Sequence, residues 1–185
     1  MFKMKKNIIA TLLVLALASI TIFAADATGQ FDVVTSVGGI HEIKLVTVGT
    51  TVPTNKGGFD GLSADNSDFT VDDNNYNTVQ TVRQLISMSN NRNGYYMTLS
   101  ATAMEADLGS SEFAYINYNV AAGGASLTTN DATEVDAVAN IHDSGPLTGM
   151  NFYSTNVTVE VNAEEYENAV TGSYSGTITF NLFAN

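Results

Sequence analysis

The side chains that could do chemistry are concentrated in a polar stretch between residues 60 and 77, which is rich in Asp and Asn. Carboxylate and amide oxygens are the ligands that Ca²⁺ prefers in proteins. The spacing of these acids does not match the EF-hand pattern, so two interpretations stay open, a calcium site and a solvated loop. The candidate calcium ligands are Asp60, Asp65, Asp68, Asp72 and Asp73.

Catalytic chemistry has less support in the residue pattern. The triplet Asp143-Ser144-Gly145 has the local form of the aspartic-protease loop, which needs a second carboxylate to share its proton. No second copy of the triplet occurs in the chain, so a turn before Pro146 is the simpler interpretation. Two distant histidines without any Cys do not form a zinc site. We therefore predict that the chain is not an enzyme.

The beginning of the chain has the pattern of a secretory signal peptide. A basic start is followed by an apolar run from Ile8 to Phe23 and then by Ala24 and Ala25. We expect a signal-peptide helix over residues 1–24, with cleavage after Ala24 or Ala25, and export to the periplasm, the cell surface or the extracellular space. A retained membrane anchor is the alternative, but the run is shorter than the roughly 20 residues that span a bilayer. Without Cys there is no lipoprotein anchor, so no membrane attachment is expected after cleavage.

The charge of the remaining chain excludes some partners. Three of the seven basic residues lie in the predicted signal, which leaves four basic residues against 19 acidic ones, a formal net charge of −15. Nucleic-acid binding needs clustered Lys and Arg, so we expect no nucleic-acid partner.

The stretch that ends the sequence, Gly172 to Asn185, shows the pattern of a strand. Tyr174, Ile178, Phe180 and Leu182 fall on alternate positions, and the polar residues between them fall on the other face. Apolar residues with a period of two indicate a strand with one buried face. We predict that this stretch is a central or closing strand.

Similar alternation recurs along the chain. It predicts strands over 25–37, 40–48, 79–88, 95–104, 113–120 and 157–161, and the sequence Asn90 to Gly94 predicts a hairpin between the third and fourth of these. The stretch 131–140 fits either a short helix or a weak strand. Seven to nine short strands with turns between them predict one all-β domain over 25–185, an antiparallel β-sandwich.

The final strand also carries a family resemblance. Gly172, fourteenth from the last residue, together with Tyr174, Ile178, Phe180 and Leu182, resembles the closing strands of pilin-like secreted β-sandwiches. These include the chaperone–usher fimbrial subunits and the spore coat protein U group. The chain departs from them at Ala184, where fimbrial subunits have a penultimate Tyr, and it lacks their frequent disulfide. The resemblance implies an Ig-like or pilin-like sandwich.

The resemblance further implies assembly by β-strand addition, in which an extended segment of the next subunit fills a groove in an incomplete sandwich. The candidate assembly-strand residues alternate near the predicted cleavage site: Ala27, Gly29, Phe31, Val33 and Thr35. The other interpretation of this segment is an ordinary first strand of a complete domain.

Two functions follow as hypotheses. The first is an exported structural or adhesive surface protein, such as a fimbrial subunit, with like subunits or other surface proteins as partners. The second is a monomeric extracytoplasmic module that binds calcium or carbohydrate, in which Tyr76, Tyr96 or Tyr153 could form a platform for glycans. Neither hypothesis requires a cofactor other than calcium.

Overall fold

The computed structural model describes residues 34–185, and all of its helices and strands lie in the compact unit Gly38–Asn185. The predicted signal peptide, its cleavage site and most of the predicted first strand fall outside the described residues. Antiparallel strands dominate, which confirms the all-β prediction. The strands are β1 (His41–Val46), β2 (Gln80–Ser89), β3 (Tyr95–Ala101), β4 (Met104–Gly109), β5 (Glu112–Ile116), β6 (Asn119–Ala122), β7 (Ala125–Thr128), β8 (Val135–Asp136), β9 (His142–Ser144), β10 (Asn151–Glu160) and β11 (Ile178–Ala184); the short helices are α1 (Lys56–Asp60) and α2 (Ala163–Glu167).

Most strands belong to two sheets. The larger sheet has five strands in the order β1-β2-β10-β6-β7. The smaller sheet has the order β11-β3-β8, and β9 also pairs with β3. The hairpin of β4 and β5 forms a separate two-stranded sheet.

The main core contains apolar side chains from both larger sheets. Leu85 of β2 and Val157 of β10 come from the five-stranded sheet, and Met97 and Leu99 come from β3. The side chains of β3 alternate between buried and half-buried positions over its first four residues, as predicted for a strand with one face in the core.

A second, smaller cluster lies on the opposite face of the five-stranded sheet. Ile86 and Met88 of β2 pack there with Val46 and Phe59, and we call this group the outer cluster. Strand β2 therefore has apolar residues on both faces. This explains why its sequence, with Val82, Leu85 and Ile86 at helix-like spacing, is ambiguous between a helix and a strand.

The predicted hairpin between β2 and β3 is wrong. The turn exists, because the Gly94 amide donates to the Asn91 carbonyl at 3.0 Å, but the two strands belong to different sheets. Strand β2 already has β1 and β10 as its two neighbours, so no edge is left for β3. A turn sequence specifies a chain reversal, and which strands pair depends on competing partners elsewhere in the chain.

Three further predictions need correction. The strand predicted over 113–120 is interrupted at residues 117 and 118 and forms parts of β5 and β6. The stretch 131–140 contains the two-residue strand β8, so the weak-strand alternative is right and the helix is wrong. The described residues contain eleven strands, more than the predicted seven to nine, because β7 and β9 lie in stretches for which no strand is predicted.

The final strand is shorter than predicted and lies at an edge. Strand β11 begins at Ile178, and Gly172 and Tyr174 precede it in irregular structure. The predicted face is confirmed within the strand, because Ile178, Phe180 and Leu182 are half-buried against the main core. Since β11 pairs only with β3 among residues 34–185, it is an edge strand of the described sheet and not a central one.

Candidate functional site

A groove of about 930 Å³ is lined by residues of both larger sheets. Strands β1 and β11 lie close to each other beside it without forming a ladder. Apolar residues from six strands and the segments next to them line the groove: Leu45, Val82, Met104, Ile116, Tyr118, Val157, Val159, Ile178 and Phe180.

The wall of the groove at Tyr118 is apolar. Tyr118 follows β5 and is 5% exposed. Burial raises the pKa of its phenol to about 12, because the charged phenolate would lose its hydration. A wall of this kind favours apolar side chains over charged ones.

The edge of β11 that does not face β3 has free main-chain groups. The Thr102 amide donates to the Thr177 carbonyl, and the Asn185 amide donates to the Gly94 carbonyl, both at 3.0 Å. Odd-numbered residues of β11 therefore face β3, because main-chain groups alternate in direction along a strand. The amides and carbonyls of the even-numbered residues point away from β3 and have no hydrogen-bond partner among residues 34–185; these residues are Ile178, Phe180, Leu182 and Ala184.

The corresponding edge of β1 is partly covered. The Asp65 amide donates to the Leu45 carbonyl at 2.9 Å. Asp65 begins an irregular segment, Asp65–Val71, which lines the groove over its whole length and which we call the strap. Val71 of the strap packs against the main core, whereas Phe69 is 38% exposed.

Arg83 of β2 holds the beginning of the strap. Its Nε donates to the Asp65 carbonyl at 3.1 Å, and its Nη2 donates to the Ser67 Oγ at 2.6 Å and also to the Ser67 carbonyl. The same Nη2 lies 3.4 Å from Asp65 Oδ1. One guanidinium thus connects two residues of the strap to the five-stranded sheet.

The Asp65 carboxylate is itself held by Ser67. The Ser67 hydroxyl donates to Asp65 Oδ1 at 2.6 Å, and the Ser67 amide donates to the same atom at 3.2 Å. These hydrogen bonds, with a smaller contribution from Arg83, lower the pKa of the Asp65 carboxyl below its ordinary value.

The chain beyond the strap is attached to α2. The rings of Tyr76 and Tyr166 stack with their centroids 4.5 Å apart. The Tyr166 hydroxyl donates to Asp73 Oδ1 and the Tyr76 hydroxyl donates to Glu167 Oε1, each at 3.0 Å. Each hydroxyl has a carboxylate as its acceptor, and this accounts for the raised pKa of both phenols.

The five candidate calcium ligands are not brought together. Asp60 pairs with Lys56 at 2.7 Å, Asp65 with Ser67 and Arg83, and Asp73 with Tyr166. The remaining two lie in the strap, at Asp68, and in the turn at Asp72, where Oδ1 accepts from the Asn74 amide. No group of three His, Asp or Glu side chains in residues 34–185 is placed to hold a metal ion.

Most of the candidate assembly strand is not described. Ala27, Gly29, Phe31 and Val33 lie outside residues 34–185. Thr35 is exposed and belongs to no helix or strand. The C-terminal candidates are brought to the groove, because Gly172, Tyr174, Ile178 and Phe180 all line it, whereas Leu182 lies further along β11.

The Asp143-Ser144-Gly145 triplet has a structural role. The Ser144 hydroxyl accepts from the Tyr95 amide at 2.9 Å and donates to the Tyr95 carbonyl at 3.2 Å. The His142 ring stacks on Tyr153 with the centroids 3.9 Å apart, and desolvation lowers the pKa of the imidazole. The Ser144 hydroxyl is thus bonded to the main chain of β3, and one face of the Tyr153 ring is covered by His142.

Sequence reasoning missed Arg83 and the strap. Arg83 is one of only four basic residues outside the predicted signal, and it stands between Val82 and Gln84 in a strand whose next residues, Leu85 and Ile86, are apolar. A cation in such a setting needs a nearby acceptor, and this signal could have identified it. In the strap itself, the alternation of Phe69 and Val71 suggests a short strand, but the structure has no strand there.

Within residues 34–185, neither helix has the length or apolarity needed to cross a membrane. No family model, curated protein or solved structure matches this chain.

Proposed function

We propose that this chain is an exported structural subunit of a cell surface, which assembles with other copies by β-strand addition. In this proposal its two larger sheets form an incomplete Ig-like sandwich. An extended segment from a second copy, residues 25–37, completes it by lying in the groove beside β11.

The order of the strands supports the sandwich. Constant-type immunoglobulin domains have strands A, B, E and D in one sheet and C, F and G in the other. Here β1-β2-β10-β6 corresponds to A-B-E-D, and β3 and β11 correspond to C and F. No strand within residues 34–185 occupies the position of G, beside the free edge of β11.

The observation that carries the proposal is the coincidence of an apolar groove with unpaired main-chain groups. Ile178 and Phe180 contribute side chains to the groove, while their amides and carbonyls face away from β3. An added strand would pair with these groups and place alternate side chains in the groove. Exposed edges of this kind are templates for pairing with another chain.

The segment 25–37 has the chemistry that this groove requires. Gly29, Phe31 and Val33 fall on one face of an extended strand, and Gln30 and Asp32 fall on the other. A small residue followed by two apolar ones suits a groove lined by Val, Ile and Phe.

Size-exclusion chromatography of the exported chain, with and without residues 25–37, tests this function. We expect the chain with the segment to form multimers and the chain without it to remain a monomer.

A finer test uses two variants, Phe31→Asp and Gln30→Asp, which add the same charge to opposite faces of the segment. Phe31→Asp should abolish assembly, and Gln30→Asp should preserve it. A stable monomer in the presence of the segment, or equal behaviour of the two variants, would refute the proposal.

A further inference from the structure

The strap and the candidate assembly strand share a short sequence pattern. The strap contains Ser67-Asp68-Phe69-Thr70-Val71, and the assembly strand contains Gly29-Gln30-Phe31-Asp32-Val33. Each has a small residue, then Phe two positions later and Val two positions after that. In extended chain the three residues of each set lie on one face.

The strap places this pattern in the groove. Phe69 lines the groove at 38% exposure, and Val71 packs against the main core. Phe69 and Val71 therefore border the space that an added strand would enter with its own Phe and Val.

The strap contributes side chains to the groove but does not pair with β11 as a strand. Among residues 34–185 it forms no ladder with β11, which pairs there with β3 alone. The main-chain groups of Ile178 and Phe180 that face the free edge therefore have no partner among the described residues while the strap is in place. An added strand could supply the same Phe and Val together with main-chain hydrogen bonds that the strap does not make to β11.

We propose that the strap is an internal substitute for the assembly strand, and that Phe31 and Val33 of an incoming copy displace Phe69 and Val71 from the groove. This inference rests on the proposed function and adds how the groove is protected before assembly. The strap borders the apolar residues of the groove in the single chain, and Arg83 holds it there through Asp65 and Ser67. Displacement moves the strap out without unfolding either sheet, because the strap belongs to no strand.

The test measures binding of a fluorescent peptide of residues 25–37 by fluorescence anisotropy. The acceptor is the exported chain carrying Phe31→Asp, which does not assemble with itself. Phe69→Ala is introduced into this acceptor, and Phe113→Ala serves as the matched control because Phe113 is 49% exposed and lies outside the groove. We expect Phe69→Ala to tighten peptide binding by about tenfold, since a half-buried Phe no longer competes, and Phe113→Ala to change nothing.

Hydrogen exchange provides a readout that needs no strap variant. Peptide binding to the acceptor should increase the exchange of the strap amides and should leave α1, ahead of the strap, unchanged. The two Phe variants could bind the peptide equally, with no change in the exchange of the strap amides. That result would overturn the proposal that the strap is an internal substitute, and it would leave the proposed function intact. Absence of peptide binding to every acceptor would overturn the proposed function and this inference with it.

Discussion

Phe59 and Phe69 lie ten residues apart in the same long connection between β1 and β2, yet the structure uses them differently. Phe59, in α1, has no exposed surface and completes the outer cluster on one face of the five-stranded sheet. Phe69, in the strap, keeps 38% of its surface exposed at the groove on the side of the main core. One connection therefore seals the first face and only partly covers the second.

The anchors of the two halves differ in the same way. The Lys44 ammonium donates to three main-chain carbonyls around α1, those of Phe59, Asp60 and Leu62, at 2.9 to 3.1 Å. Arg83 likewise donates to the Asp65 and Ser67 carbonyls of the strap, and it also lies 3.4 Å from the Asp65 carboxylate, which accepts from Ser67. The comparison teaches that Lys44 anchors α1 through main-chain carbonyls, whereas the anchor of the strap includes a carboxylate that can be titrated.

The largest effect is expected for Phe59→Ala. The substitution removes a fully buried ring that lies 6.5 Å from the Phe152 ring, and it leaves a cavity in the outer cluster. Such a change costs about 3 to 5 kcal/mol in the free energy of unfolding. Urea denaturation followed by circular dichroism measures it.

Phe69→Ala is the matched comparison for that measurement. Its ring is partly exposed, so we expect a loss of less than about 1.5 kcal/mol in the free energy of unfolding. Equal losses in the free energy of unfolding for the two variants would show that the strap is as much a part of the folded core as α1. That result would contradict the difference described between Phe59 and Phe69.

A smaller effect is expected from acid. Because the pKa of the Asp65 carboxyl is lower in the folded chain than its ordinary value of 3.8, the folded state favours the ionised form. Its stabilising contribution is complete above about pH 5 and is lost as the pH falls through the lowered pKa. We expect the amides of Asp65 and Ser67 to lose protection factors between about pH 5 and about pH 2, as measured by hydrogen exchange with correction for the intrinsic rates.

The half of the connection around α1 supplies the control for acid. The Phe59 and Leu62 amides donate to main-chain carbonyls, which do not titrate, so their protection should not change over this range. Asp65→Asn should remove the pH dependence at Ser67. Loss of protection at Phe59 in parallel with Ser67 would indicate general acid unfolding and would contradict the separate release of the strap.

Period-two alternation predicted the strands but not their arrangement. Strand β3 and the end of β10 were predictable because each presents one face to the main core, with Met97 and Leu99 in one and Val157 and Val159 in the other. The neighbours of β2 were not predictable, since the turn at Gly94 is local and the pairing of β2 with β10 joins residues more than 60 positions apart.

The groove could be predicted only in part. The alternating face of β11 identified Ile178 and Phe180, but nothing in the sequence distinguishes Phe59 from Phe69, because both stand in polar, Gly- and Asp-rich surroundings. Their different burial depends on long-range partners, Met88 and Ile86 for the first and Arg83 for the strap of the second. Acidic residues that look like a cluster in sequence are not gathered into one site, because Asp60, Asp65 and Asp73 each contact a different partner.

The central claim is that the free edge of β11 accepts a strand, and amide hydrogen exchange along β11 tests it most directly. The exchange rates are compared between the assembled chain and the monomeric Phe31→Asp chain. The account predicts that the amides of Phe180 and Leu182, which face the free edge, exchange rapidly in the monomer and slowly in the assembly. The amides of Thr179 and Asn181, which face β3, should be slow in both forms. Equal exchange of Phe180 and Leu182 in the two forms would contradict the claim.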